Sequence, residues 1–449
     1  MKEISPTSLK IYKSSFSKDK TNEIAQRAVI VNGIYNSTRN YEAVNLDQNQ
    51  WSYEIDAGDI HDQARSGRCW LYAALVLAEV KMAKKLKISS LKLSKSYLNF
   101  YDKLEMCNSF YQSIIDSRNE ELFSKKVQNI LSTKQYDGGY WHEAANLIEK
   151  YGVVPESAMT ETGDTKLSSS LNSILDEKLS NDAKKIRDSK NPQELKEQLL
   201  DEVYKILAIS YGLPPEKFAF DFSPEKNDKK SKDKDEKEKK KEDKNKKNLK
   251  TIHTTPFDFW KKYGFEINDF ACLSFMLDYK KSNWETFYEE DGVDSMYDKK
   301  YQFATTKMSN EIKQSIIKQL KNGEPVWFSW DVEKQFSGKL GILDSELWKY
   351  NDLYDLKLNL DKESRGFYHD ISNSLHATAI VGYREEKGKI THWKVKNSWG
   401  KDHGQSGFIS MNDNYLDNYI LDAVVRKKYL PENVQDIFNT KPTVIRYWD

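Results

Sequence analysis

Apolar and polar positions along the 449 residues fall into distinct regimes. From Leu71 to Val80 the chain is apolar apart from Tyr72 and Glu79. So uniform a run predicts a helix buried on every side. Between about 85 and 330 the pattern changes to helical spacing rich in Lys, Glu and Leu, and predicts a mostly helical block. Its clearest helices are expected over 91–109, 195–209 and 310–320. Past Ser374 the pattern turns to β. Residues 374–383 read as a strand, 385–389 with Gly388 as a turn and 390–396 as a second strand, which together predict a hairpin. A short helix is expected over 432–439, started by Pro431.

Two segments stand apart. Residues 1–45 are polar with scattered Tyr and Ile, and read as an arm that wraps another surface. Residues 226–248 hold twelve Lys, seven acidic residues and nothing apolar. Such a segment has no burial to offset its ordering entropy, so it is expected to be a disordered, solvated loop that tolerates deletion. The chain then divides into an arm (1–45), a part carrying the buried helix (46–84), a mostly helical insertion (85–330), a β-rich part (331–430) and a tail (431–449).

Composition narrows the class. Hydrophobic residues make up 38%, with 11 Trp and 26 Tyr, enough for a large core. The net charge is +1, so no global field draws the chain to nucleic acid or anionic membrane. No stretch approaches about 18 consecutive apolar residues, so no membrane span is expected. The N-terminal residues lack the apolar run of a signal peptide. Three widely spaced cysteines, Cys69, Cys107 and Cys272, argue against a disulfide framework and for a reducing, cytoplasmic setting.

Candidate chemistry enters at Cys69, at the mouth of the buried helix, with the Gln63 amide six positions upstream. A cysteine in a first helical turn sees converging N–H groups and the positive end of the helix dipole, which favour thiolate. A lone cysteine is more often core, and Cys107 and Cys272 are read that way. The hairpin strengthens the case for Cys69. A turn centred between 386 and 388 pairs residues whose numbers sum to 772–776, so His376 faces a position from 396 to 400, a span that includes Asn397. An imidazole beside an amide is what a cysteine nucleophile uses, and Trp399 is placed to shield that contact. His61, His142, His253, His369, His392 and His403 are rivals, but only His376 lies on the hairpin opposite Asn397. No cysteine or histidine pair has zinc-ligand spacing, and no cofactor or metal is expected.

Ser66-Gly67-Arg68-Cys69-Trp70 with Gln63, the His376 strand, and Lys394-Val395-Lys396-Asn397-Ser398-Trp399-Gly400 resemble the bleomycin hydrolase and aminopeptidase C family of papain-like cysteine peptidases. Asp137-Gly138-Gly139, residues 147–155, Val326-Trp327-Phe328 and Asp331-Val332 match as well, so the likeness runs from about residue 45 to the end. The secreted papain pattern differs in two ways. It has an extra cysteine near position 66, where this chain has Ser66. It also places the histidine roughly 130–150 residues after the cysteine, whereas here the gap is 376 − 69 = 307. The resemblance implies an α+β papain-like fold with a large insertion. It implies Cys69 as nucleophile, His376 as base, Asn397 as its orienter and Gln63 in the oxyanion hole. It also implies Gly138 and Gly139 on the substrate backbone, and a C-terminal arm bringing Asp449 into the cleft, so that only a free amino terminus fits. The implied activity is removal of N-terminal residues from small peptides by a homohexamer. An endopeptidase with an open cleft, or a non-catalytic assembly or nucleic-acid-binding protein on the same scaffold, are the alternatives; near-neutral charge makes nucleic-acid binding the weaker one.

Overall fold

The computed structural model describes residues 3–47, 49–225, 249–277, 283–291, 295–367 and 374–446. The charged segment 226–248, His369 and Asp449 lie outside the described residues.

The buried run becomes the helix Cys69–Leu86, called here the Cys69 helix, with every residue from Trp70 to Glu79 buried. It packs into one core with Lys95–Asp116, Trp141–Tyr151, Ser169–Asp188 and Pro192–Tyr211. The expected helices over 91–109, 195–209, 310–320 and 432–439 appear as Lys95–Asp116, Pro192–Tyr211, Asn310–Lys321 and Glu432–Ile437.

The Cys69 helix lies against a sheet that has twelve strands among the described residues. Its middle runs Phe270–Ser274, Ile420–Arg426, Val326–Asp331, Leu375–Glu386, Lys389–Lys396 and Phe408–Asn412, each antiparallel to the next. The far face buries a second core that includes Phe328, Trp330, Ile380, Trp393 and Val425. The architecture is therefore α+β, as expected. The boundary at 330 is corrected, because it falls inside the strand Val326–Asp331. The block read as mostly helical also gives the sheet Phe270–Ser274, Thr286–Asp291 and Tyr301–Thr305. Thr286–Asp291 ends in three acidic residues and lacks the alternation that marks a strand, so only its pairing reveals it.

The predicted hairpin forms. Its strands are longer than expected and close on Lys387 and Gly388, both at positive φ (50° and 78°). That geometry matches the right-handed twist of the strands. The ladder ends at Ala379↔Lys396, while His376 is paired across its other edge with Trp330. Asn397 therefore meets His376 just past the end of the ladder rather than from a paired position. Residues 6–46 are helical, as Pro6–Lys18, Lys20–Thr38 and Tyr41–Leu46, and dock through the Tyr35 ring on Trp348 (5.1 Å between centroids). No described helix is long and apolar enough to cross a membrane.

Candidate active site

Cys69 is the first residue of its helix and is partly exposed. Arg68 precedes it with no side-chain cap, so the first-turn N–H groups stay available to the thiol. The backbone N–H groups of Ala377, Trp70 and Cys69 favour the thiolate at this sulfur. Ala377 follows His376, so the helix start and the histidine strand meet at this sulfur. Burial nevertheless pushes the thiol above its ordinary value, and the three N–H groups offset it only in part. The sequence revealed the helix terminus but not the depth at which it is set.

His376 is buried, and its Nε2–H donates to Asn397 Oδ1 at 2.8 Å. That oxygen also accepts the Ser398 N–H at 2.8 Å, which fixes the amide and so leaves Nδ1 as the basic atom of the ring. Trp399 stacks on the imidazole with centroids 4.4 Å apart, and Trp330 meets it edge-on at 5.5 Å. The predicted cover is present. Burial lowers the imidazole to about 4, with the Asn397 bond pulling the other way.

Gln63 is held from both sides. Its Oε1 accepts the Ser398 hydroxyl and its Nε2 donates to Ser66 O, each at 2.6 Å. Its backbone N–H donates to Ser398 O at 2.8 Å. One amide hydrogen is then left for a ligand, because Nε2 carries two. Ser398 had been read only as part of a motif, and no periodicity or charge signal marks it as the residue that orients Gln63.

The loop ahead of Cys69 is clamped further. Arg68 grips Glu161 with two bonds, 3.2 and 2.8 Å, and its Nε donates to Ser66 Oγ at 2.9 Å. Burial alone would raise the Glu161 carboxyl, but the guanidinium holds it below its ordinary value. A Cβ on Gly67 would stand 2.5 Å from that of Asp137, so the loops carrying them touch. Asp137 accepts the Trp70 indole on its backbone oxygen at 3.1 Å and binds Lys103, Ser168 and Asn172 through its carboxylate. These bonds place Gly138 and Gly139 beside the Cys69 helix. Gly139 lies under Trp70, where a Cβ would come within 2.5 Å of the ring. Gly138 is exposed, and a Cβ there would meet only Tyr136 at 3.9 Å, so its backbone is open to a ligand.

Beneath the site lies a buried charge cluster that composition could not indicate. Glu79 accepts Lys95 Nζ and His61 Nε2–H, both at 2.7 Å. Lys396, next to Asn397, donates to Ala57 O and is lowered to about 8, mainly by burial. Among the described residues no group of three His, Cys, Asp or Glu side chains is placed to hold a metal ion.

The Peptidase C1-like family matches residues 3–449. The chain is 32% identical to aminopeptidase G of Lactobacillus delbrueckii subsp. lactis, over 98% of this chain and 97% of that protein. It is 31% identical to aminopeptidase C of Listeria monocytogenes, over 95% and 93%. Bleomycin hydrolase of Rattus norvegicus is 28% identical over 87% and 85%. The crystal structure of PepW from Lactobacillus rhamnosis superposes with a TM-score of 0.90 at 32% identity, covering 100% of this chain and 98% of that one. The chain belongs to the Peptidase C1-like family of papain-like cysteine peptidases.

Proposed function

We propose that this protein is a cysteine aminopeptidase that releases N-terminal residues from small peptides through an acyl thioester. One observation carries the reading. The His376–Asn397 pair, with Nδ1 as the basic atom of the ring, lies on the strand whose Ala377 N–H favours the Cys69 thiolate.

Burial disfavours charge on Cys69 and on His376 taken singly. Proton transfer from one to the other makes both charges together, so each offsets the desolvation of its partner. The thiolate attacks the scissile carbonyl carbon. A C–S bond forms, and the oxyanion is met by the second Gln63 amide hydrogen and the Cys69 N–H. His376 gives its proton to the leaving amine as the C–N bond breaks. Water, deprotonated by His376, then adds to the thioester, and the C–S bond breaks to release the acid and restore the thiol. Gly138 and Gly139 bind the substrate main chain in this scheme.

Restriction to free amino termini is assigned to the C-terminal arm, with Asp449 taking the substrate ammonium. Thr443–Arg446 supports it by adding a parallel strand to Thr286–Asp291, with Arg446 opposite Asp291. Assembly into a homohexamer is supported by the apolar residues that the N-terminal helices leave exposed, among them Leu9, Ile11, Phe16, Ile24 and Val31. A cytoplasmic setting fits three free cysteines.

The deciding measurement compares a free aminoacyl coumarin amide with its N-acetylated form. Hydrolysis of the free form alone, lost in Cys69→Ala, is the expected result. Equal cleavage of both would defeat the aminopeptidase reading, and activity surviving in Cys69→Ala would defeat the nucleophile. Light scattering that finds a monomer would remove the hexamer.

A further inference from the structure

Between Cys69 and Val80 the Cys69 helix carries one charged residue, Glu79, ten positions after the cysteine (79 − 69 = 10). At about 1.5 Å of rise per residue, Glu79 stands about 15 Å along the axis from Cys69 and does not touch the sulfur. A lone carboxylate among buried apolar neighbours costs free energy that packing does not return. Glu79 is 3% exposed, and its partners are as enclosed, His61 at 5% and Lys95 at 1%.

The three side chains close a triangle. Lys95 Nζ donates to Glu79 Oε1 and His61 Nε2–H donates to Oε2, each at 2.7 Å. Lys95 Nζ also lies 3.3 Å from His61 Nδ1, and the Leu93 N–H donates to Glu79 Oε1 at 2.9 Å. Burial would raise the Glu79 carboxyl, but His61 and Lys95 hold it well below its ordinary value. An ionised carboxylate only accepts, so the proton of the ring sits on Nε2. Tyr72 meets the same ring edge-on at 5.7 Å. The imidazole is therefore fixed in place and in tautomer by groups that no substrate reaches.

His61 ties this triangle to the site. Its backbone oxygen accepts the Gly400 N–H at 2.9 Å, and the Gln63 N–H donates to Ser398 O at 2.8 Å. Residues 61–63 thus run antiparallel beside 398–400, with Asp62 opposite Trp399. The pairing stops there. Ala64 adopts a φ of 51°, and its N–H turns back to Asp62 Oδ1 at 2.8 Å. So short a ladder does not support itself. Residues two apart share a side of an extended strand, so a ring gripped at position 61 sets the roll of the segment at position 63. The aim of the Gln63 amide then depends on an anchor inside the core.

We propose that His61 and Glu79 are a positioning pair for the Gln63 amide: the grip on the His61 ring ties the roll of residues 61–63 to the helix that carries Cys69. This inference rests on the peptidase reading above. One helix then locates the nucleophile at its start and, from its middle, the donor that receives the oxyanion.

The test compares full-length His61→Leu, which cannot bond Glu79, with His61→Gln, whose amide N–H can. In His61→Leu, kcat for leucyl coumarin amide should fall about tenfold or more with KM within about twofold of wild type, as a misplaced catalytic group predicts. His61→Gln should recover most of that loss. Alkylation of Cys69 by iodoacetamide should keep its rate in both variants, because that reaction uses the thiolate and forms no oxyanion. In a Gln63→Ala background His61→Leu should cost no further activity, since the amide it aims is gone. Unchanged kcat, a parallel loss of alkylation, a glutamine variant no better than the leucine one, or full additivity with Gln63→Ala overturns the inference. If circular dichroism shows that His61→Leu misfolds, His61→Asn, too short to reach Glu79, takes its place. Wild-type protein that cleaves no aminoacyl coumarin amide defeats the peptidase reading instead. The crystal structure of the His61 variant then decides alone: a Gln63 amide displaced from Ser66 O and Ser398 Oγ supports the positioning role, and an unmoved amide overturns it.

Discussion

The two corners of the site are built by opposite means. The Cys69 corner is held by polar bonds from distant segments: Gln63 to Ser398, Arg68 to Glu161, and Trp70 to the Asp137 loop. The His376 corner is an aromatic box of Trp330 and Trp399, with one amide inside it. Polar latches have strict geometry, and each leaves a buried group exposed to penalty when its partner goes. Aromatic packing excludes water and so sets the proton affinity of what it encloses. One corner therefore fixes positions and the other fixes ionisation.

The sharpest way to break this contrast is His376→Ala. It should cost roughly 10⁴-fold or more in kcat, since members of one catalytic unit fail together, while the Cys69 corner stays folded. Rapid labelling of Cys69 by iodoacetamide relative to Cys107 and Cys272 would then have to come from the helix terminus alone. The next largest effect is on stability. Glu161→Ala leaves the buried Arg68 guanidinium unpaired and should cost about 3–5 kcal/mol in urea unfolding. A loss well under about 1 kcal/mol would mean that the latch is not structural. Gln63→Ala should lower kcat about 10²–10³-fold, the usual effect of removing one oxyanion donor. A change confined to KM would reassign Gln63 to binding.

The smallest effect separates the corners by pH. His376 and His61 are both lowered to about 4 in the folded chain, against an ordinary value near 6.5. Between those values the unfolded chain binds more protons than the folded one. Stability is therefore unaffected by these residues above about pH 6.5 and falls as pH drops toward 4. Thermal melting should track that window, and His61→Gln should flatten part of the slope. Stability that rises on acidification through it would reject the burial of both rings.

Much of this contrast was legible in the sequence. Cys69 and Gln63 lie within seven residues of one another, where local helix rules apply. The hairpin carried His376 toward Asn397 because a short turn fixes register to within a few residues. Arg68 with Glu161 was not legible, since nothing local distinguishes these charges from solvated ones. The strands Phe270–Ser274 and Tyr301–Thr305 were hidden for a related reason. Phe270–Ser274 forms against Ile420–Arg426, far along the chain, and Tyr301–Thr305 forms against Phe270–Ser274 and Thr286–Asp291, neither from its own periodicity. For the thiol, the helix position that lowers its proton affinity was legible, whereas the burial that raises it was not.

The bond from Ser398 to Gln63 also bears on timing. On the proposed reading, the amide that receives the oxyanion is steered by a hydroxyl synthesised 335 residues later. A ribosome that has released the Cys69 helix has made a thiol with neither its imidazole nor its oriented amide. On that reading proteolytic competence waits until Ser398 has been translated, and products truncated before it should carry no cutting activity of their own.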